Sequence, residues 1–183
     1  MKKSITMALM SGFLAQISAQ VIISGESTSN TGNFLSTSVL LQFSNNTNKG
    51  LILPWTNGDV TDPLNGTIIF NTVSKKVKVY VNNSWLDYSN EASTNNAIDT
   101  SLQTDPKYPD NSSAGVVIGS NASTNPRGIL VLESSDKAMV LPKVPNPHLN
   151  IVNPAPGMIV FDTVKELLCI YNGTQWSFIQ KNK

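Results

Sequence analysis

The chain writes one pattern twice. Residues 62–88 read DPLNGTIIFNTVSKKVKVYVNNSWLDY, and residues 153–179 read NPAPGMIVFDTVKELLCIYNGTQWSFI. Set residue i against residue i + 91. Pro63 meets Pro154, and Gly66 meets Gly157. Ile68, Phe70, Thr72 and Val73 meet Ile159, Phe161, Thr163 and Val164, while Tyr80 and Trp85 meet Tyr171 and Trp176. With small gaps the likeness runs upstream. Lys49-Gly50-Leu51-Ile52-Leu53-Pro54 matches Lys137-Ala138-Met139-Val140-Leu141-Pro142, and Val21-Ile22-Ile23-Ser24 matches Val116-Val117-Ile118-Gly119. A repeated supersecondary unit constrains a fold more than any single motif does.

Within each unit the apolar residues alternate. Ile68, Phe70 and Thr72 share one face, and Ile69 and Asn71 the other, which is the period of a strand. Val73-Ser74-Lys75-Lys76 then turns the chain. Val77, Val79 and Val81 begin a second strand, matched by Leu168, Ile170 and Asn172. Asn82-Asn83 and Asn172-Gly173 are expected to make tight hairpin turns, because these residues tolerate positive φ. A third strand carries Trp85 and Trp176. LILP and MVLP, each ended by proline, read as a fourth strand or as an extended segment docked on the meander. No helix longer than two turns is expected after residue 20.

The fold class is therefore mainly β. Two small β-meander units, residues 20–89 and 114–183, are joined by a polar linker at 90–113. Ile98, Leu102 and Tyr108 are the only large apolar residues in that linker. A unit of about 70 residues sits near the lower limit of independent stability. Cys169 is the only cysteine, so no disulfide forms within the chain. An exposed meander also leaves strand edges that invite pairing. Oligomerisation would remedy both, and a homotrimer is the expected state. Phe70 and Phe161 are predicted to anchor equivalent cores in two beads on a flexible string. Cys169 is expected to be buried packing.

Residues 1–19 are expected to be a signal peptide. Met1-Lys2-Lys3 is a basic start, a short apolar stretch follows, and Ala19 offers a small residue at the cut. The expected localisation is thus exported, secreted or at the cell surface, with no membrane span after signal cleavage. Removing Lys2 and Lys3 leaves eleven basic residues facing twelve acidic ones. No basic stripe exists, so nucleic acid is not an expected partner.

Residue types that carry chemistry are sparse. His148, the single histidine, lies in a proline-rich loop with no marked nucleophile or orienting acid. Asn57-Gly58-Asp59 to Asp62 brings oxygen ligands close together. It lacks the spacing and closing glutamate of a calcium loop, so a solvated turn is expected. No catalytic residue, cofactor or metal site is assigned. Trp55, Trp85 and Trp176 are the candidate ligand or partner contacts, since aromatic rings serve cores, interfaces and sugar faces alike. Trp55 has Lys143 at its matching place and is the candidate peculiar to this chain.

NKGLILP, NGTIIFNT and VKVYVNNSW, with DKAMVLP, NPAPGMIVFDT and LCIYNGTQW, resemble a pattern of exported Bacteroidetes proteins. That pattern runs KGLLLP, NPxxGMIVYDT and YNGTxW in order, and similar segments occur in tail-fibre-like and adhesin-like proteins. The resemblance covers both units and implies an exported, β-rich, non-catalytic and fibrous protein. The chain departs from it at Trp55 and Lys143, where arginine is usual. The expected function is a secreted, non-enzymatic structural or adhesive protein. The alternative is a secreted glycan-binding module, for which an exposed Trp55 would speak. The expected partners are further copies of the chain, with a surface glycan or protein as a second possibility.

Overall fold

The computed structural model describes residues 20–23, 38–43, 48–90, 98, 107, 114–119 and 128–180. The expected signal peptide and most of the expected linker lie outside these residues.

Each copy of the repeat builds the same sheet. In the first, β4 (Trp55–Thr56), β5 (Ile68–Asn71), β6 (Lys76–Val81) and β7 (Ser84–Asp87) lie in that order. In the second, β11 (Lys143–Val144), β12 (Met158–Asp162), β13 (Leu167–Tyr171) and β14 (Trp176–Ile179) do the same. The last three strands of each form the antiparallel meander read from the sequence. The first of each runs parallel to its neighbour, with Trp55 beside Phe70 and Lys143 beside Phe161. The repeated prolines explain that start. Phe70 N–H donates to Pro54 O at 2.9 Å, and Phe161 N–H donates to Pro142 O at 2.9 Å. Proline has no N–H to offer a ladder, but its carbonyl accepts freely.

The turns repeat as well. Asn71 Oδ1 accepts from the N–H groups of Val73 and Ser74, and Asp162 Oδ1 accepts from those of Val164 and Lys165. Short polar side chains closing a turn on their own backbone are a local folding signal. Lys75 and Glu166 occupy the same left-handed place, at φ 54° and 55°. Asn82 and Asn83 form the expected tight turn, at φ 51° and 60°. In the second copy the turn is at their repeat mates Gly173 and Thr174, one residue later than the expected Asn172-Gly173, with Gly173 at φ 99°. Asn172, the mate of Val81, precedes that turn with its side chain buried. Its Oδ1 accepts from Thr174 and Gln175 N–H, and its Nδ2 donates to Asn90 O.

The remaining strands do not stay with their own copy. β3 (Leu51–Ile52) leaves the first copy and adds antiparallel to β12 of the second. β10 (Ala138–Val140) leaves the second copy and adds parallel to β2 (Val39–Phe43), which also pairs with β1 (Val21–Ile23). β8 (Val116–Gly119) and β9 (Leu130–Glu133) form a parallel pair like β1 and β2. The single helix among the described residues, α1 (Pro147–Asn150), is one turn long.

The core corrects the expectation of two independent beads. Leu53, Phe70 and Val77 of the first copy pack with Ile159 and Ile170 of the second in one cluster. Phe70 is fully buried there, but Phe161, its repeat mate, is only half-buried. Phe70 lies in the shared cluster and Phe161 does not, so equal sequence gives unequal burial. A second cluster (Val144, Ile151, Met158, Val160, Cys169) fills the far side of the β12 sheet, under the segment that carries α1. The equivalent side of the first copy is more polar, with Lys78 for Cys169 and Lys76 for Leu167, although Ile69 keeps the buried place of Val160. The polar linker is tied down at two of its described positions. Asn90 N–H donates to Ser177 Oγ, and Ile98 packs against the shared core.

Candidate functional site

The most specific geometry in the molecule is the junction between the copies. Gly157, at φ 77°, lies flat against Phe70: a Cβ built there would sit 2.7 Å from Phe70 Cβ. Leu53 N–H donates to Gly157 O at 3.1 Å, continuing the β3–β12 ladder. Trp55 Nε1–H donates to Pro156 O at 2.8 Å, and its ring is tilted against Phe70 with centroids 5.9 Å apart. On the far side, Asn90 bridges Asn172 and Ser177. Gly157 of the repeated motif thus acts together with Pro156 and Trp55, whose matching places in the other copy hold Asn65 and Lys143. The glycine admits the phenylalanine, the residue before it supplies an acceptor, and the tryptophan closes the side.

The three candidate tryptophans fall into two roles. Trp85 and Trp176 sit in equivalent pairs with a cross-strand tyrosine. Trp85 meets Tyr80 edge-on at 5.2 Å, and Trp176 meets Tyr171 at 5.3 Å. Lys78 Nζ lies 6.0 Å from the Trp85 ring centroid. Both rings are half-buried at the hairpin ends, in a framework position. Trp55 is half-buried too, and its N–H is engaged by backbone, so it offers no free donor. The structure does not bring the three together. Sequence reading did not find Gly157, Phe70 and Pro156 as one contact. The repeated proline–glycine segment was its only trace.

The titratable groups are built into the frame. Asp162 is fully buried. Burial works against its carboxylate, but N–H donors from Val164, Asn146 and Lys165, with the Lys165 ammonium, outweigh it and hold the pKa below the ordinary carboxylate value. Cys169 is fully buried as expected, and burial together with the Asp162 charge pushes its thiol up to about 11. Asp59, in the segment weighed as a calcium loop, takes Lys78 Nζ on both oxygens at 2.7 Å and also accepts from Asn71 Nδ2. The Lys78 hydrogen bond, against a smaller effect of burial, lowers its pKa. His148 stands in α1, edge-on to Phe178 at 5.6 Å. Among the described residues no cluster of three or more metal-ligating side chains occurs, and no helix is long and apolar enough to cross a membrane.

Residues 117–183 match the family described as the phage tail like trimerisation region. That span begins inside β8 and covers the second copy of the repeat. The match agrees with the tail-fibre-like part of the sequence resemblance, with the mainly β fold and with self-association. No curated protein and no solved structure matches the chain.

Proposed function

We propose that the chain is a non-enzymatic structural subunit of an exported fibre, held together as a homotrimer by its repeat units. The observation that carries this reading is the match of residues 117–183 to a phage tail like trimerisation region. The first copy has the same sheet order, turns and proline contacts, so it is a second unit of the same kind. Among the described residues Asp59 is taken up by Lys78 and Asn71, Asp162 closes a turn and Cys169 is packed in the core. The half-buried, hydrogen-bonded Trp55 supports a framework part over a glycan platform. Export rests on the basic and apolar character of residues 1–19.

Light scattering on purified protein spanning residues 20–183 tests the assembly. A mass three times that of one chain, held over a wide concentration range, is the expected result. A monomer at every concentration would remove the proposal. N-terminal sequencing of the protein from its native producer tests export, with Gln20 expected first.

A further inference from the structure

We infer that copies of the chain join by repeating the internal junction between them. β10 of one chain adds antiparallel to the open half-edge of β5 in the next, as β3 adds to β12 within a chain. This rests on the trimeric reading and specifies its contact.

The two meanders are equivalent down to individual hydrogen bonds, so the unfilled half of one can be read from the filled half of the other. Gly157 N–H donates to Tyr171 O, and Gly66 N–H donates to Tyr80 O. Met158 N–H returns to Ala155 O, and Thr67 N–H returns to Leu64 O. On its outer edge β12 pairs with β11 at Phe161 and Asp162 and with β3 at Met158 and Ile159. On the matching edge β5 pairs with β4 at Phe70 and Asn71, and among the described residues nothing pairs beside Ile68. Nor does any described donor reach Gly66 O, the counterpart of the carbonyl that takes Leu53 N–H.

Side chains mark the same vacancy. Gly157 is occupied by Phe70, whereas a Cβ on Gly66, at φ 89°, meets nothing within 4 Å. Phe161 is the half-buried repeat mate of Phe70, left without a glycine to cover it. Ser177 is 6% exposed at the junction, while Leu86, its mate, is 45% exposed. An apolar residue stands exposed where its counterpart is covered.

The occupant is fixed by the repeat itself. β10 is the repeat mate of β3 and, among the described residues, pairs on one edge only, with β2. Carrying over the register Met158 to Ile52 and Ile159 to Leu51 sets Thr67 opposite Val140 and Ile68 opposite Met139 of a neighbouring copy. Leu141 N–H would donate to Gly66 O, and Gly66 would seat on Phe161 of the neighbouring copy. The other half of the junction transfers too. β10 lies beside β2 within the chain, so β3 of one copy would lie beside β9 of the next. Ile52 and Leu130 are both exposed there, at 50% and 41%. The contact is head-to-tail: the second copy of one chain meets the first copy of another. Head-to-tail contacts form rings when the rotation closes, and three chains supply the closed set.

Paired cysteines test the contact in the full chain. Directly opposed residues of antiparallel strands bring their Cβ atoms within about 4.5–5.5 Å, close enough for a disulfide after small adjustment. Thr67→Cys with Val140→Cys, oxidised with copper phenanthroline, should give covalent species of two and three chains on a non-reducing gel. Neither single variant should do so, and a mixture of the two should stop at two chains. A protein that scatters as a trimer but yields no link between chains, or links only within one chain, overturns this inference and leaves the trimeric reading standing. A monomer overturns both. Leu86→Asp provides a second arm that does not disturb the chain's own core. It should weaken assembly at least tenfold while the far-ultraviolet circular dichroism stays unchanged. Unaltered assembly of that variant overturns the inference.

Discussion

Gly157 and Phe70 touch across the junction between two copies of one sequence motif, with no room for a side chain at residue 157. Two costs therefore fall on Gly157→Ala. Its φ of 77° disfavours any Cβ, and the added methyl overlaps Phe70. The expected loss is about 2–4 kcal/mol, from backbone strain plus overpacking. Gly66→Ala meets only the first cost within the chain and should lose about 1–2 kcal/mol. Urea unfolding of both variants measures the difference.

Phe70→Ala should destabilise the whole molecule at once. Phe70 is fully buried among residues of both copies, and such truncations cost about 3–5 kcal/mol. Calorimetry should show one lowered transition. Two separate transitions would mean that the copies fold apart. Phe161→Ala should cost the chain's own fold only about 1–2 kcal/mol, in line with its partial burial.

The meanders, their turn residues and the burial of Cys169 were legible in the sequence because they are local. Alternation, a closing Asn or Asp and a left-handed corner are set by neighbours along the chain. The difference between Phe70 and Phe161 was not legible. Both sit in the same local pattern, and only the departure of β3 to the other copy decides which one is covered. The place of the second turn follows from the repeat: Gly173 and Thr174 are the mates of Asn82 and Asn83, and the two hairpins keep one register. Parallel pairing of β4 and β11 was hidden as well. A two-residue strand carries no periodicity, and only the proline carbonyl marks it.

Stability should fall at acid pH through Asp162. Its folded pKa lies below the ordinary value, so its contribution is complete above the unfolded pKa of about 3.9 and is lost as pH falls through the lower, folded pKa. Asp162→Asn keeps an acceptor for the Val164 and Lys165 N–H groups, as Asn71 does in the first copy. It places an unpartnered amide donor in a buried site and should cost about 1–3 kcal/mol at neutral pH. Urea midpoints from neutral to acid pH should show the gap between the two proteins narrowing as the wild type protonates.

Cys169 should be inert while the chain is folded. Its thiol is fully buried and held at about 11, and the thiolate is the reactive form. Modification by a disulfide reagent at neutral pH should run more than about a hundredfold slower than in urea. Equal rates would mean that the β12 sheet opens readily.

The crossing of β3 into the second copy's sheet also orders events in time. Leu51 leaves the ribosome early, but its partner Ile159 follows roughly a hundred residues later, the kind of separation that slows folding. Phe70 has no complete pocket until Gly157 and Ile170 arrive. A nascent chain is therefore held short of its native state until its final third is made. That delay leaves early β edges open to neighbouring nascent chains.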